Sequence, residues 1–449
     1  MSPDLSAIFK AYDVRGAYPD ELDENVARRI GVAFAAFVES GRIVVGRDMR
    51  ESSPSLAQAF VEGATSAGVN VLDLGLVSTD ACYFASGYFG APGAMFTASH
   101  NPARYNGLKL CRAEAVPIGV ESGLVEIRKG AETDDPAPRG GAEGTVQEVS
   151  ILEEYASHCR SFVDEDALRP IKVAIDAGNG MAGVTVPITF RSLPFEVEPL
   201  YFELDGTFPN HPANPIEEAN LVDLQHLVLA NDCDVGIAFD GDADRIFLVD
   251  EKGDLVSGSL TTALVAERVL KKYPGQPIIY NLICSWAVRE VIDENGGEPI
   301  RSRVGHSYVK ALMAETGAAF AGEHSGHYYF RDNYKADSGL IAALLVLEAM
   351  SVASVPLSKA LEPFHRYCAS GEINSEVGDQ EGMIETLAEA YGDGHQNRTD
   401  GLTVEFEDWW FNVRASNTEP LLRLNLEART KSVKDAKVEE ILSVIRKGN

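Results

Sequence analysis

The stretch Asp234–Asp250, DVGIAFDGDADRIFLVD, decides how the chain is read. The apolar runs Val235–Phe239 and Ile246–Val249 each have the length of a buried strand, and between them Asp240, Asp242 and Asp244 stand at alternate positions. Gly241 and Ala243 keep the turn narrow, so the three carboxylates can converge on one hard cation while Arg245 sets a fixed positive charge beside it. That arrangement suits a magnesium ion that must hold a phosphate. An EF-hand calcium loop shares the acidic spacing, and Glu251 even falls at its twelfth position. It needs glycine at the sixth, where Arg245 stands, and helical flanks where these are strand-like. A solvated acidic turn leaves the two apolar flanks unexplained.

Outward from this stretch, one plan of strand, helix and strand closing on a polar turn occurs three times. The first pass runs from RIVVGRD (Arg42–Asp48) through the helical SLAQAFVEGATSAG and NVLDLGLV to GAMFTASHNP. The second runs from IKVAIDAGNGMAG through FEVEPLYFEL to the acidic stretch, and the third from PIIYNLICSWAV through EPIRSRVG to GAAFAGEHSGH. Short apolar strands alternating with helices predict α/β units on mixed or parallel sheets, with ligand loops beyond the carboxyl ends of the strands. Gly130–Val146, rich in Gly, Pro and acid, reads as a surface loop near the first boundary. After LSKALEPFHRYCASGEINSEV the pattern changes to short strands and a terminal helix, SVKDAKVEEILSVIRK. The expected fold is therefore three similar α/β domains and a smaller C-terminal α+β domain, bounded at 1–147, 148–252, 253–364 and 365–449.

Composition narrows the function. The 449 residues carry 68 acidic against 39 basic side chains, a net charge of −29. That field disfavours nucleic acid or an anionic membrane as partner, so an anionic substrate has to be drawn by local Arg and Lys. Six scattered cysteines without a C-x-x-C pair read as reduced thiols, and no window reaches the apolar length of a membrane span. With no leader-like start in MSPDLSAIFKAYDVRG, a cytoplasmic protein is expected.

Three further loops carry chemistry. In FTASHNPARYNGLKL, Ser99 sits in a tight turn of small residues beside His100, with Lys109 following, which has the makings of an activated nucleophile; a helix-capping serine is the plain alternative. In GEHSGHYYF, Glu323, Ser325 and His327 alternate, and an extended loop would aim all three one way, toward adjacent sugar hydroxyls. His306 and Lys310 in RVGHSYVK add a weaker signal. In RASNTEP, Arg414, Ser416, Asn417 and Thr418 share one turn with Arg423 beyond it, the makings of a phosphate cradle.

Together FKAYDVRG, TASHNP, DGDADR, GEHSGH and RASNTEP resemble, in order and over essentially the whole chain, the motifs of the α-D-phosphohexomutase superfamily, in its phosphomannomutase/phosphoglucomutase branch. The resemblance implies four domains around a central cleft. It implies a phosphate carried on Ser99 and magnesium held by Asp240, Asp242, Asp244 and that phosphate. Arg245, His100, Lys109 and Arg15 would surround the reacting group, with Lys109 a candidate general acid or base, and Tyr12 would line the cleft. Glu323 and Ser325 would take the sugar hydroxyls, with His306 and His327 nearby, while Arg414, Ser416, Asn417, Thr418 and Arg423 would hold the non-reacting phosphate.

The implied activity interconverts hexose 1-phosphate and hexose 6-phosphate through a hexose 1,6-bisphosphate, in a monomer or dimer. Asn417 and His324 stand where phosphoglucosamine mutases usually carry Gly and Gln, which favours mannose and glucose. A phosphoglucosamine mutase, a phosphatase acting through Ser99, and a non-catalytic sugar-phosphate binder are the rival readings.

Overall fold

The computed structural model describes residues 3–133, 142–415 and 421–447. Its chain forms two compact units, one of Met1–Ser257 with Ser325–Ala360, the other of Gly258–His324 with Leu361–Asn449.

The first unit contains two mixed sheets. Across the first, the strands run Val14–Ala17, Tyr105–Cys111, Gly93–Phe96, Arg42–Arg47, Asn70–Leu76 and Val146–Glu148. The last four are parallel, and Tyr105–Cys111 is antiparallel to both Gly93–Phe96 and Val14–Ala17. Gly93–Phe96 is entirely buried, as its apolar sequence requires. Helices Glu24–Val38 and Ser53–Ser66 cover the sheet and touch backbone to backbone. A Cβ on Gly31 would lie 2.2 Å from the Phe60 carbonyl oxygen, and one on Gly63 would lie 2.1 Å from that of Arg28. Asp23 caps the first of these helices by accepting from the Val26 N–H at 2.8 Å.

The second sheet orders Leu255–Val256, Ile246–Asp250, Val235–Phe239, Ile171–Asp176 and Phe195–Leu200. Its Val235–Phe239 is parallel to Ile171–Asp176 but antiparallel to Ile246–Asp250, with Phe239 opposite Ile246. The reason is length: the acidic turn is far too short for a parallel crossover, so its two strands must form a hairpin. The helix Gly339–Ala353, apolar on all sides, is buried almost throughout. Among the described residues no single helix is long and apolar enough to cross a membrane.

In the second unit, Pro277–Asn281 lies parallel to both Glu298–Ser302 and Phe320–Gly322. A separate sheet, all antiparallel, orders Cys368–Glu376, Leu421–Ala428, Trp409–Ala415, Leu402–Glu405 and His395–Asn397. Helices Gln380–Ala390 and Lys431–Lys447 close a core on it around Leu387, Phe411, Leu424 and Ile441. The architecture is thus α/β with mixed sheets and a smaller C-terminal α+β part.

One sequence expectation needs correction. The stretch from Gly130 does not open as a loop, because Gly130–Glu132 finishes the helix Leu124–Glu132, and Val146 begins a strand on the sheet edge; residues 134–141 lie outside the described residues. All six cysteines are free thiols, five of them buried, as read from their spacing.

Candidate functional site

Strand Gly93–Phe96 delivers the chain into a turn whose geometry the sequence sets. The Ser99 N–H donates to Thr97 Oγ1 at 2.8 Å, and Ser99 takes a left-handed φ of 49°, a conformation that a residue with a Cβ holds only when its surroundings impose it. The serine is no helix cap. Its hydroxyl donates to Asp240 Oδ2 at 2.7 Å and lies 3.2 Å from His100 Nδ1. The hairpin tip of the second sheet meets this turn at van der Waals limit, since a Cβ on Gly241 would lie 2.6 Å from the Ser99 carbonyl oxygen.

Around the serine, charges are dense and dry. Asp240 and Asp242 are wholly buried, and Asp244, Arg245 and Ser99 are nearly so. Arg245 Nε donates to Asp240 Oδ2 at 3.0 Å, and its Nη2 reaches Ser99 Oγ at 3.4 Å and His100 Nδ1 closely. Lys109 Nζ donates to Asp242 Oδ2 at 2.7 Å and Asp244 Oδ2 at 2.6 Å. Burial works against its ammonium, yet those two carboxylates outweigh it and hold the Lys109 pKa well above the ordinary lysine range. Burial, with Arg245 and Arg15 nearby, holds His100 well below its usual value, so it faces the serine as a neutral imidazole. Asp240 is pushed well above the carboxylate range by burial, and the neighbouring Asp244 and Asp242 add to the shift against Arg245.

The three aspartates fit a divalent cation. One oxygen from each lies within 4.8 Å of the others, and Asp242 Oδ1 and Asp244 Oδ1 are buried with no hydrogen-bond partner among the described residues. A buried anionic oxygen without a donor is costly, and a bound magnesium ion would satisfy both.

Other predicted residues fall into place by degrees. Arg15 donates to Asn101 Oδ1 at 2.9 Å, on the serine turn, and to Asp13 Oδ2 at 2.6 Å. His327 bridges in antiparallel fashion to Arg245, puts Nε2 3.8 Å from Asp244 Oδ1, and pairs Nδ1 with Ser325 Oγ at 2.9 Å. Tyr12, half-buried, lies beside Gly119. The expected alternation of Glu323, Ser325 and His327 along an extended loop fails: His324 and Ser325 form a turn and Gly326 has a φ of 85°, so alternate side chains do not share one direction.

In the second unit, Glu323 is buried where Phe320–Gly322 ends, and accepts from the Gly305 N–H at 3.1 Å and from Asn281 Nδ2 at 3.4 Å. His306 and Lys310 lie on the helix His306–Thr316, Lys310 buried. On the antiparallel sheet, Arg414 and Arg423 stand opposite each other across two strands, and Glu372 holds both, at 3.1 and 3.4 Å. Ser416, Asn417 and Thr418 lie outside the described residues.

Sequence reasoning missed two residues here. Thr79 donates its hydroxyl to Asp242 Oδ2 at 2.5 Å and its N–H to the Asp242 carbonyl at 3.0 Å, and Arg50 is buried beneath the serine turn. Thr79 carries no local signal, because its partner is 163 positions away; for Arg50 the one hint was its place just past the carboxyl end of Arg42–Arg47.

Comparison with known proteins places these groups in context. The chain matches the family descriptions "Phosphoglucomutase/phosphomannomutase, alpha/beta/alpha domain I" over residues 6–137, domain II over 153–253, domain III over 257–367, and the C-terminal domain over 372–444. It is 40% identical over 445 residues to phosphohexose mutases of Xanthomonas campestris pv. campestris, covering 98% of this chain and 99% of that one. It is 39% identical over 454 residues to a phosphomannomutase of Escherichia coli, with the same coverage. A phosphoglucomutase/phosphomannomutase family protein of Burkholderia thailandensis superposes with a TM-score of 0.88 at 33% identity, covering 98% of this chain and 97% of that one.

Proposed function

We propose, for a chain that belongs to the phosphoglucomutase/phosphomannomutase family and is therefore a phosphohexomutase of the isomerase class, that its reaction runs through Ser99 and that its substrates are mannose and glucose phosphates. The observation that carries this reading is the environment of the Ser99 hydroxyl: 2.7 Å from Asp240, within reach of Arg245 and His100, and beside two buried carboxylate oxygens that have no hydrogen-bond partner among the described residues. A capping or surface serine needs none of these.

In this reading the resting enzyme carries a phosphoryl group on Ser99. The free hydroxyl of a hexose monophosphate attacks that phosphorus, the P–O bond to Ser99 breaks, and the hydroxyl proton passes to a neighbouring base. The hexose 1,6-bisphosphate then turns over, and Ser99 takes back the other phosphoryl group, which leaves the positional isomer. Asp240, Asp242 and Asp244 would hold magnesium, which supplies charge neutralisation to the transferring phosphoryl group. Arg245 lies close enough to Ser99 Oγ to pair with the equatorial oxygens of the moving group. His100, held neutral with Arg245 against its Nδ1, is a weak proton acceptor beside the serine, and Lys109, held charged by two aspartates, suits electrostatic support better than base catalysis. Arg15 steadies the turn through Asn101. Ser325 and His327 in the first unit, and Glu323 and His306 in the second, are proposed sugar contacts, with Tyr12 at the site's edge. Arg414, Ser416, Asn417, Thr418 and Arg423 are proposed to bind the non-reacting phosphate. Domains bounded at 1–147, 148–252, 253–364 and 365–449 then supply one loop each.

Parallel rate measurements on mannose 1-phosphate, glucose 1-phosphate and glucosamine 1-phosphate, with peptide mapping of Ser99 after exposure to glucose 1,6-bisphosphate, test the reading. Isomerisation of the first two with phosphate on Ser99 is expected. Release of inorganic phosphate without isomer, or preference for the amino sugar, would replace it.

A further inference from the structure

Beneath the serine turn lies a cation whose position the mechanism above leaves unused. Arg50 follows the strand Arg42–Arg47 at its carboxyl end and is buried with its whole side chain out of solvent. All five N–H groups of its guanidinium are taken. Nη2 donates to the Ser99 carbonyl at 2.8 Å and the Asn101 carbonyl at 2.6 Å; Nη1 donates to the carbonyls of Pro102 and Tyr105, each at 2.9 Å; Nε donates to Asp48 Oδ2 at 3.2 Å.

Asp48 is itself fixed, accepting the Arg50 N–H at 3.0 Å and the Ser53 hydroxyl at 2.5 Å. From the other side the second sheet's loop closes on the same residue. A Cβ on Gly206 would come within 2.6 Å of Arg50 Cα, and the Phe208 ring lies 5.1 Å from the guanidinium carbon.

We infer that Arg50 is a positioning residue for phosphoryl transfer: its planar fork gathers the four carbonyls of the Ser99 turn and so fixes the direction of the Ser99 hydroxyl toward Asp240. The inference rests on the reading of Ser99 as the phosphoryl carrier. Two features separate this role from ordinary burial. First, the arginine spends four of its five donors on one seven-residue segment, Ser99–Tyr105, rather than on scattered partners. Second, that segment contains the left-handed Ser99 at φ 49°, a strained backbone state that persists only where its surroundings impose it. An ammonium in the same place cannot do this, because its three donors leave one point and cannot span four carbonyls.

Arg50→Lys tests the inference by keeping the buried charge and removing the fork. Steady-state kinetics on the folded fraction should show kcat reduced about a hundredfold, the loss that follows from an ångström-scale misplacement of a reacting group, with KM for the hexose phosphate within about threefold. Hydrogen exchange read by mass spectrometry should accelerate over residues 97–105 while peptides of the second unit stay unchanged.

Unaltered exchange over 97–105, or an activity loss fully explained by a smaller folded fraction, overturns the inference. Should Arg50→Lys fail to fold, Asp48→Asn keeps the guanidinium and weakens its Nε anchor. The same signature at smaller amplitude supports the clamp, and normal kinetics with normal exchange refute it. The exchange readout needs no phosphate on Ser99. Absence of phosphate from the wild-type serine after treatment with bisphosphate therefore sinks the nucleophile reading, and with it the catalytic half of this inference, while faster exchange would still establish the clamp on the turn.

Discussion

The surroundings of Ser99 and those of Arg414 solve opposite problems. Around Ser99, Asp240, Asp242 and Asp244 are all but sealed from solvent, and bonds from Arg245, Lys109 and Thr79 reach them across two sheets. Around Arg414, the side chains stay partly open, 15% for Arg414 and 29% for Arg423, and one carboxylate, Glu372, answers both cations. The first is built before any substrate arrives, so its groups need no reorganisation when charge develops. The second holds its cations on an internal anion, Glu372, for which the phosphate of the proposed reading would exchange. On the proposed function, rigid charge stands where bonds would break, and exchangeable charge where a ligand would be gripped and released.

The largest effect that could break this contrast is at Ser99 itself. Ser99→Ala should lower turnover by at least about four decades while leaving thermal unfolding close to wild type, because no other side chain there can carry the phosphoryl group in line. Substantial residual isomerisation would show that the sealed region is not where transfer occurs. Next is Asp242→Asn, which removes one anionic ligand. Turnover should fall about a hundredfold and recover in part at high magnesium, since the loss lies in metal affinity. Activity with unchanged metal dependence would return the acidic run to a structural role.

A third test concerns how dry the first region is. Asp80, fully buried, receives the Ser338 hydroxyl at 2.7 Å, the Ala81 N–H at 2.9 Å and close bonds from Ser78 and Tyr155. Burial nevertheless pushes its pKa from 3.8 to about 7. Since the folded value lies above the unfolded one, the folded chain keeps a proton that the unfolded chain has released between about pH 4 and pH 7, and stability falls as pH rises through that window. Asp80→Asn has no such proton to lose. Its stability relative to wild type should therefore climb by about 1.4 kcal/mol per pH unit across the window and level off above it, as read by denaturant unfolding. A flat difference would mean that the four donors keep Asp80 ionised throughout.

The smallest effects belong to the open region. Arg414→Ala should cost at least about tenfold in kcat/KM, from a proposed phosphate contact worth roughly 1.5 to 3 kcal/mol. Glu372→Gln should move KM by no more than about fivefold, since a partly exposed pair is worth about 0 to 1 kcal/mol. Equal, large losses at both residues would make the open region as rigid as the sealed one and erase the contrast.

The sequence disclosed the site in proportion to how local its pieces are. DGDADR announced itself because three carboxylates and their two strands lie within seventeen consecutive residues, and the hairpin confirmed both flanks. TASHNP showed a turn but not what the serine faces, because Asp240 lies 141 positions on. GEHSGH misled for a physical reason: alternation implies a common direction only in extended backbone, and Gly326 turns the chain. Arg50 and Thr79 stayed silent because an arginine after a strand, or a threonine at a helix start, looks alike whether it caps, solvates or clamps. The antiparallel pairing of Val235–Phe239 with Ile246–Asp250 was implicit in loop length, since so short a turn can join only antiparallel neighbours; that of Val14–Ala17 with Tyr105–Cys111, far apart in sequence, was not.

The glycine at 241 gives the molecule an assembly check. With no side chain there, the hairpin tip of the second sheet rests directly on the Ser99 carbonyl, so the serine acquires its acidic neighbour only when two separately wound sheets have docked to within a fraction of an ångström. A fragment ending near residue 150 would carry the proposed nucleophile, and one beginning there the acids, but on that reading neither would carry a reaction. Chemistry at Ser99 thus reports on the quaternary-like fit of two pieces of one chain, and recovery of activity when such fragments are mixed would time their docking more directly than any spectroscopic signal of folding.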